Sequence, residues 1–336
     1  NQIGLQLGGI RPELSGTQPS AFLPDRPLPS VCARHTVGLG DPLSPTDVTD
    51  ENRAEDDLPL DLESCIQTYG LTHFKIKVCG NLDVDLPRLE VLAELLGSRA
   101  LFTLDGNEQY ANIGAFREHW EAWHENSKVR GLLDSGLILV EQPAHRDETF
   151  SSSVATEFTN WPDRPPFIID EADGVIDSLP RALSLGYDGA SHKNCKGIVK
   201  GLANAATLAE EGKKRNRPLH FSGEDLANVG PIALFQDLAM MGTLGIEHVE
   251  RNGHHYFKGL SAWHEPVRRA MLENHPDLYG LHSEGYPALR IQNGKLDLKS
   301  LNQAPFGPTK LLDVSSLEQV DLTDSVAFIR VGLPLT

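Results

Sequence analysis

Residues 136–143 read GLILVEQP: an apolar run, Leu137–Val140, leads straight into Glu141, and Pro143 stops it. A short apolar run bounded by turn residues fits a strand buried on both faces, as in a parallel sheet. A carboxylate at the tip of such a strand is costly unless a partner offsets its desolvation. The pattern recurs on both sides. ALFTLD (100–105) ends in Asp105 and opens into DGNEQY, and PPFIIDE (165–171) ends in Asp170 and Glu171. The intervals are 141 − 105 = 36 and 170 − 141 = 29 residues, each room for one strand and one helix. Three acidic tips at that interval point to one end of one sheet.

Outward from these runs the rhythm continues. Strand candidates are 31–37, 73–78, 100–104, 137–140, 167–169, 189–192, 219–222 and 247–249. Between them lie helical patterns such as LPRLEVLAELLGS (86–98), GLANAATLAEEGKKR (201–215), GPIALFQDLAMMGTLG (230–245) and LSAWHEPVRRAMLENH (260–275). Strands alternating with helices mean βαβ units and a parallel sheet. Eight such units in about 240 residues have the size of a (β/α)8, TIM-like barrel. The other candidate is an open doubly wound sheet, whose dinucleotide-binding form carries a glycine-rich loop after an early strand; no such loop is present. Residues 1–30, rich in Gly, Pro and Ser, read as loop or linker, 31–288 as the barrel, and 289–336 as a further segment packed on it. In ALRIQNGKLDL (288–298), Asn293-Gly294 between alternating runs signals a hairpin. The four tryptophans fall in helical or loop contexts and read as packing residues.

Composition narrows the function. The chain has 336 residues, 40% hydrophobic and 23% charged, with a formal net charge of −17. That balance argues against a nucleic-acid surface, which needs clustered Lys and Arg. No apolar run is long enough to span a bilayer, and no signal peptide is visible. Cys32, Cys65, Cys79 and Cys195 are far apart and show no CxxC spacing. They read as reduced thiols in a cytoplasmic protein rather than as a zinc site or disulfide framework.

In a (β/α)8 barrel the C-terminal strand ends form the active-site face. Asp105, Glu141 and Asp170 would meet there, and oxygen ligands without Cys or His favour Mg2+, with Mn2+ as an alternative. Individually, each carboxylate could instead cap the helix that follows it. In HFKIKVC (73–79), Lys75 and Lys77 are two apart and share a sheet face. Inside a barrel such lysines need carboxylate partners, and a lysine in a dry site can act as a base; on an edge strand they would simply be exposed. GASHKNCKG (189–197) puts Lys193 at another strand end, with Lys196 and Lys200 reading as solvated. Arg34 and His35 point to opposite faces of the first strand, so one of them can face the site.

FKIKVCGN, LDGNEQY, LILVEQP, FIIDEAD and ASHKNCKG resemble, in order and spacing, the barrel motifs of the enolase superfamily, mandelate racemase and muconate-lactonizing type, most of all its muconate-lactonizing and dipeptide-epimerase branch. The resemblance implies a Mg2+-dependent barrel with an α+β capping lobe, of which residues 1–30 would be a remnant, so that the lobe is read as largely incomplete. It implies removal of the proton α to the carboxylate of a small molecule, the enediolate being stabilised by the metal. It makes Asp105, Glu141 and Asp170 the metal ligands, Lys77 and Lys193 the acid/base pair, and Lys75 a neutralising neighbour of both the substrate carboxylate and Lys77. Glu171 and Asn107 would support the ligands. Relatives are commonly homo-oligomers. The ends of the seventh and eighth strands supply Ser222, Glu224, Asp225, Glu250 and Arg251 as substrate-binding candidates. HVERN (248–252) does not clearly reproduce the acidic pair with which dipeptide epimerases hold an ammonium group, and His192 stands where relatives usually carry an apolar residue. Racemase, epimerase or cycloisomerase chemistry is the leading expectation. An acid-sugar dehydratase (a lyase) uses the same enolate, and a metal-binding protein without turnover is the non-enzymatic alternative.

Overall fold

All eight apolar runs form strands: β1 (Ser30–Val37), β2 (His73–Lys77), β3 (Leu101–Asp105), β4 (Leu137–Glu141), β5 (Phe167–Ile169), β6 (Gly189–His192), β7 (His220–Gly223) and β8 (His248–Arg251). They pair in parallel, each with the next in sequence, and β1 pairs with β8 to close the ring. The computed structural model describes residues 6–49, 56–224, 228–304, 306–308, 310 and 315. The helices are α1 (Leu62–Tyr69), α2 (Leu82–Leu96), α3 (Ile113–Glu125), α4 (Ser127–Gly136), α5 (Ser152–Thr159), α6 (Ser178–Leu185), α7 (Ile198–Arg215), α8 (Ile232–Leu244), α9 (Gly253–Tyr256) and α10 (Glu265–Asn274). This is a (β/α)8 barrel. Among the described residues no helix is long and apolar enough to cross a membrane.

Local chemistry sets the joints. Asp61 caps α1 by accepting from the Ser64 N–H at 2.9 Å, and Gly70, at φ 63°, lets the chain leave it in the left-handed region. Lys213, Lys214 and Arg215 end α7, where the helix dipole favours cations. The strand runs bury against these helices: Phe102, Val140, Phe167 and Ile169 are fully buried. Trp123 and Trp161 are packed into the same core, Trp123 against Phe116 and Trp161 against Phe167.

The site is placed by register. Lys77 pairs with Asp105, Asp105 with Glu141, and Glu141 with Ile168. Paired residues of neighbouring parallel strands share a sheet face, so Lys77, Asp105 and Glu141 stand in one row at the C-terminal rim. Asp170 lies two residues beyond Ile168.

Two sequence expectations change. The Asn293-Gly294 turn forms, with φ 51° and 70°, but only Gln292 and Lys295 bridge across it. Its arms diverge instead. β10 (Pro287–Leu289) pairs with β9 (Tyr279–Leu281), and β11 (Lys295–Asp297) pairs antiparallel with β1 at Ser30–Cys32. β8 begins to pair with β1 only at Cys32, so the start of β1 offers an open edge that β11 fills. The N-terminal segment is also more than a linker. Three 3-10 turns (Leu7–Gly9, Pro12–Leu14 and Pro19–Ala21) lie along it, and Leu7 and Leu14 pack on Ala203 and Ala206 of α7. Arg11, buried, donates to Ile176 O, to Asn204 Oδ1 at 2.6 Å and to Thr207 Oγ1 at 2.7 Å.

Asp188, just before β6, fastens three strand entries. It accepts from the Phe167 N–H at 2.9 Å, from Arg164 at 2.5 Å and from Arg217 at 2.6 Å. Burial opposes its ionisation, but the two arginines and the amide outweigh it and hold its pKa below the ordinary value. Its stabilisation is therefore complete above the unfolded carboxylate pKa of about 4 and is lost as pH falls through the lower folded value. Asp188→Asn is expected to cost about 3 kcal/mol in urea unfolding at neutral pH, because it leaves the part-buried Arg164 without its carboxylate. The difference from wild type should shrink at about pH 3; an undiminished difference there would assign the loss to packing.

Candidate active site

Lys75 and Lys77 share the inner face of β2, one above the other. The Lys75 ammonium, buried, lies 2.9 Å from Asp105 Oδ2, 2.9 Å from Glu141 Oε2, 2.5 Å from Glu224 Oε2 and 3.3 Å from Glu250 Oε2. Desolvation works against its charge, and the four carboxylates overcome it, raising its pKa well above normal. Lys77, one residue pair nearer the rim, is 20% exposed. Its ammonium donates to Asp105 Oδ2 at 2.5 Å and to Asn107 Oδ1 at 2.6 Å.

Across the ring, Lys193 follows β6 and donates to Asp170 Oδ2 at 2.6 Å. Burial would lower the Lys193 pKa, but Asp170 raises it above the ordinary lysine value. Lys196 donates to Asp170 Oδ1, to the Asp170 carbonyl and to Ser191 Oγ, each at 2.7 Å. Burial favours protonation of Asp170, yet Lys196, Lys193 and Lys75 keep its pKa far below normal. Glu141 behaves oppositely. Burial, with Asp105 and Glu224 nearby, drives its pKa well above normal despite Lys75.

The remaining sequence candidates fall into place around these groups. Asn107 accepts a hydrogen bond from Lys77 and donates to Glu171 Oε1 at 3.2 Å, so the two expected supporting residues meet. Ser222, Glu224, Glu250 and Arg251 are buried. Ser222 donates to Glu224, and Arg34 binds both, at 2.9 Å to Ser222 Oγ and 2.6 Å to Glu224 Oε1. Thr36 donates to Glu250 at 2.9 Å. Arg251 contacts the Asn228 carbonyl. Asp225 lies outside the described residues. Arg34 is thus the inward member of its pair, and His35 points away to Tyr256 at 2.6 Å.

Lys196 and Lys200 correct the sequence reading. Their side chains are only 14% and 10% exposed, and they pair with Asp170 and Asp173 rather than with water. The signal was the 193, 196, 200 spacing, which sets three lysines opposite the acids of DEAD (170–173). His192 is buried, its pKa is drawn down to about 4 by desolvation, its Nε2 lies 3.1 Å from Asn194 Oδ1, and it packs on Gly201 of α7, where a Cβ would come within 2.6 Å of its ring.

The donor chemistry at the rim suits a hard divalent cation: it is all oxygen, and buried Glu141 Oε2 has no hydrogen-bond partner, its contact with Lys75 being an ion pair of poor angle. As placed, however, no three Asp, Glu, His or Cys side chains among the described residues form a group that could hold a metal ion. The Lys75 ammonium stands among the carboxylates instead.

No family model matches the chain, and no curated protein is similar to it. Solved structures are similar. A mandelate racemase/muconate lactonizing protein from Herpetosiphon aurantiacus is 16% identical, with a TM-score of 0.53 over 85% of this chain and 65% of that one. A 2-chloromuconate cycloisomerase from Rhodococcus opacus 1CP is 17% identical, with a TM-score of 0.52 over 85% and 63%. The muconate lactonizing enzyme from Pseudomonas putida is 18% identical, with a TM-score of 0.52 over 87% and 65%. These are enolase-superfamily barrels, the group that the sequence motifs resemble, and the chain has their fold. It spans just under two thirds of their length.

Lys75→Met removes the one charge shared by four buried carboxylates. It is expected to cost about 3–5 kcal/mol in urea unfolding in the presence of EDTA. A cost below about 1 kcal/mol would mean that the carboxylates do not depend on this lysine.

Proposed function

We propose that this chain abstracts the proton α to the carboxylate of a small molecule and returns it, as a Mg2+-dependent racemase, epimerase or cycloisomerase with a Lys77/Lys193 dyad. The observation that carries the proposal is the placement of the two lysines. β2 and β6 are four strands apart in a closed ring of eight, so Lys77 and Lys193 approach the centre from opposite walls.

An α-proton beside a carboxylate is very weakly acidic, so a base alone is not enough. Asp105, Glu141 and Asp170 are the residues that would hold Mg2+, and the bound ion would supply positive charge where the oxyanion develops. Lys193, whose proton is held firmly against Asp170, serves as the acid on its face. Lys77 works on the other face, oriented by Asp105 and Asn107. In the reverse direction the roles exchange, as a two-base transfer requires. Lys75 stays charged and keeps Asp105 and Glu141 at the rim. Lys196 holds Asp170 by its side chain and its carbonyl, so that Lys193 keeps a fixed partner.

The test is solvent deuterium exchange at the α-carbon, followed by proton NMR with Mg2+ present. Lys77→Ala and Lys193→Ala should each abolish exchange from one enantiomer, by about 10²–10⁴-fold. Full turnover in both variants would overturn the dyad. A 2-keto product in place of exchanged substrate would assign the enolate to a lyase.

A further inference from the structure

A cavity of about 490 Å3 opens beside Lys77, between the loop after β1 and the loop after β8. That size lies within the range of small-molecule sites, roughly 300–1,000 Å3. Its apolar walls are Val37, Pro42, Leu60, Leu62, Cys65 and Phe257, and Thr36 and Asn252 also line it. Phe257 is held in place by stacking on Tyr69, at 5.9 Å and 14° between planes. The cavity's polar groups are already engaged or carry the wrong sign for an anion. Asp61 spends both oxygens on Ser64, at 2.9 and 2.7 Å. Asp41 accepts from the Gly38 N–H at 2.7 Å and stands at the edge. His35 bonds Tyr256, and burial draws its pKa down to about 4, so it is neutral near pH 7. Among the described residues lining the cavity, Lys77 is the one cation. Arg88 lies behind the loop and donates to the Gly38 and Asp41 carbonyls.

From this lining we infer that the cavity is the tail subsite of the reaction proposed above, and that it selects a monocarboxylate bearing a branched aliphatic or aromatic tail. The inference rests on that reading for the position of the reacting carbon beside Lys77. A polyol tail would lose water to walls that offer few free hydrogen-bond partners. A second carboxylate in the tail would meet Asp41 and, among the described residues lining the cavity, no cation other than Lys77. An apolar tail instead exchanges water for Leu60, Leu62 and Phe257.

The experiment holds the head group constant and varies the tail. Binding to the full chain with Mg2+ is measured by calorimetry for four 2-hydroxy acids: 2-hydroxy-4-methylpentanoate, 3-phenyllactate, gluconate and the dicarboxylate glucarate. α-Deuterium exchange is followed for each. The two apolar acids should bind at least about 10-fold more tightly than gluconate or glucarate. Leu60→Asp, at the half-buried rim, should erase the preference, and Phe257→Ser should do the same if Leu60→Asp does not fold. Gluconate or glucarate binding as tightly as the apolar acids, or a folded variant that keeps the preference, overturns the inference. Tight binding of the apolar acids without exchange overturns the proposed reaction and leaves the subsite standing. Exchange of gluconate or glucarate alone does the reverse.

Discussion

One buried ammonium organises this barrel. Lys75 reaches carboxylates carried by β3, by β4, by the residue after β7 and by β8, so a single side chain ties together strands on both sides of the ring. Magnitudes show why several acids are needed. Desolvating a charge costs several kcal/mol even after relaxation, and one contact at about 3 Å returns roughly 5 kcal/mol at an effective dielectric near 20. One acid would leave the lysine near break-even, whereas four make its charge secure. The reverse does not hold, because four acids cannot all be satisfied by one cation. Glu224 has Arg34 as a second cation, and Lys75 and then Arg34 outweigh burial and hold its pKa well below normal. Glu141 and Glu250 remain undercompensated, and burial raises both.

That imbalance divides the rim into two halves. On the β5–β6 side, Asp170 is oversupplied with cations and stays ionised. On the β4 side, Glu141 is undersupplied and retains an oxygen without a hydrogen bond. The lysines at the rim differ accordingly from the one beneath them. Lys77 and Lys193 each bind one acid and are about one fifth exposed, whereas Lys75 has no open side. The proton exchange proposed for Lys77 and Lys193 needs that opening, and holding charge in place, as Lys75 does, needs none. The lower lysine sets the field in which the upper two work.

Much of this was legible in the sequence because it follows from local pattern. The eight strands appear where apolar runs meet turn residues, and the acidic tips and the KIK pair carry their register with them, since a period of two fixes the face. What was not legible depends on partners distant in the chain. Lys196 and Lys200 look like solvated residues of a helix start until Asp170 and Asp173 are brought opposite them. Glu224 and Glu250 read from the sequence only as substrate-binding candidates at strand ends; that they also accept from Arg34, Thr36 and Lys75 depends on ring closure through β1 and β8. The Asn293-Gly294 turn was read correctly as a turn. The fate of its arms was decided by the open edge of β1, which no hairpin rule contains. Residues 6–29 lack periodicity, yet Arg11 finds three acceptors on α7 and the segment before α6.

The same division between local pattern and long-range closure separates chemistry from selectivity. The groups proposed to react sit on strand ends in a register that the ladder fixes to within one residue, because a slip by one would turn Lys77, Asp105 and Glu141 to the outer face. The cavity beside Lys77 is built instead mostly from loops and the first turn of α1, where Leu62, Cys65 and Phe257 line it together with the end of β1. Substitutions there change volume and polarity without moving the ladder. Under the proposed reaction, a rigid row of charges bordered by a replaceable apolar wall would retain one proton-transfer chemistry while its choice of tail changes.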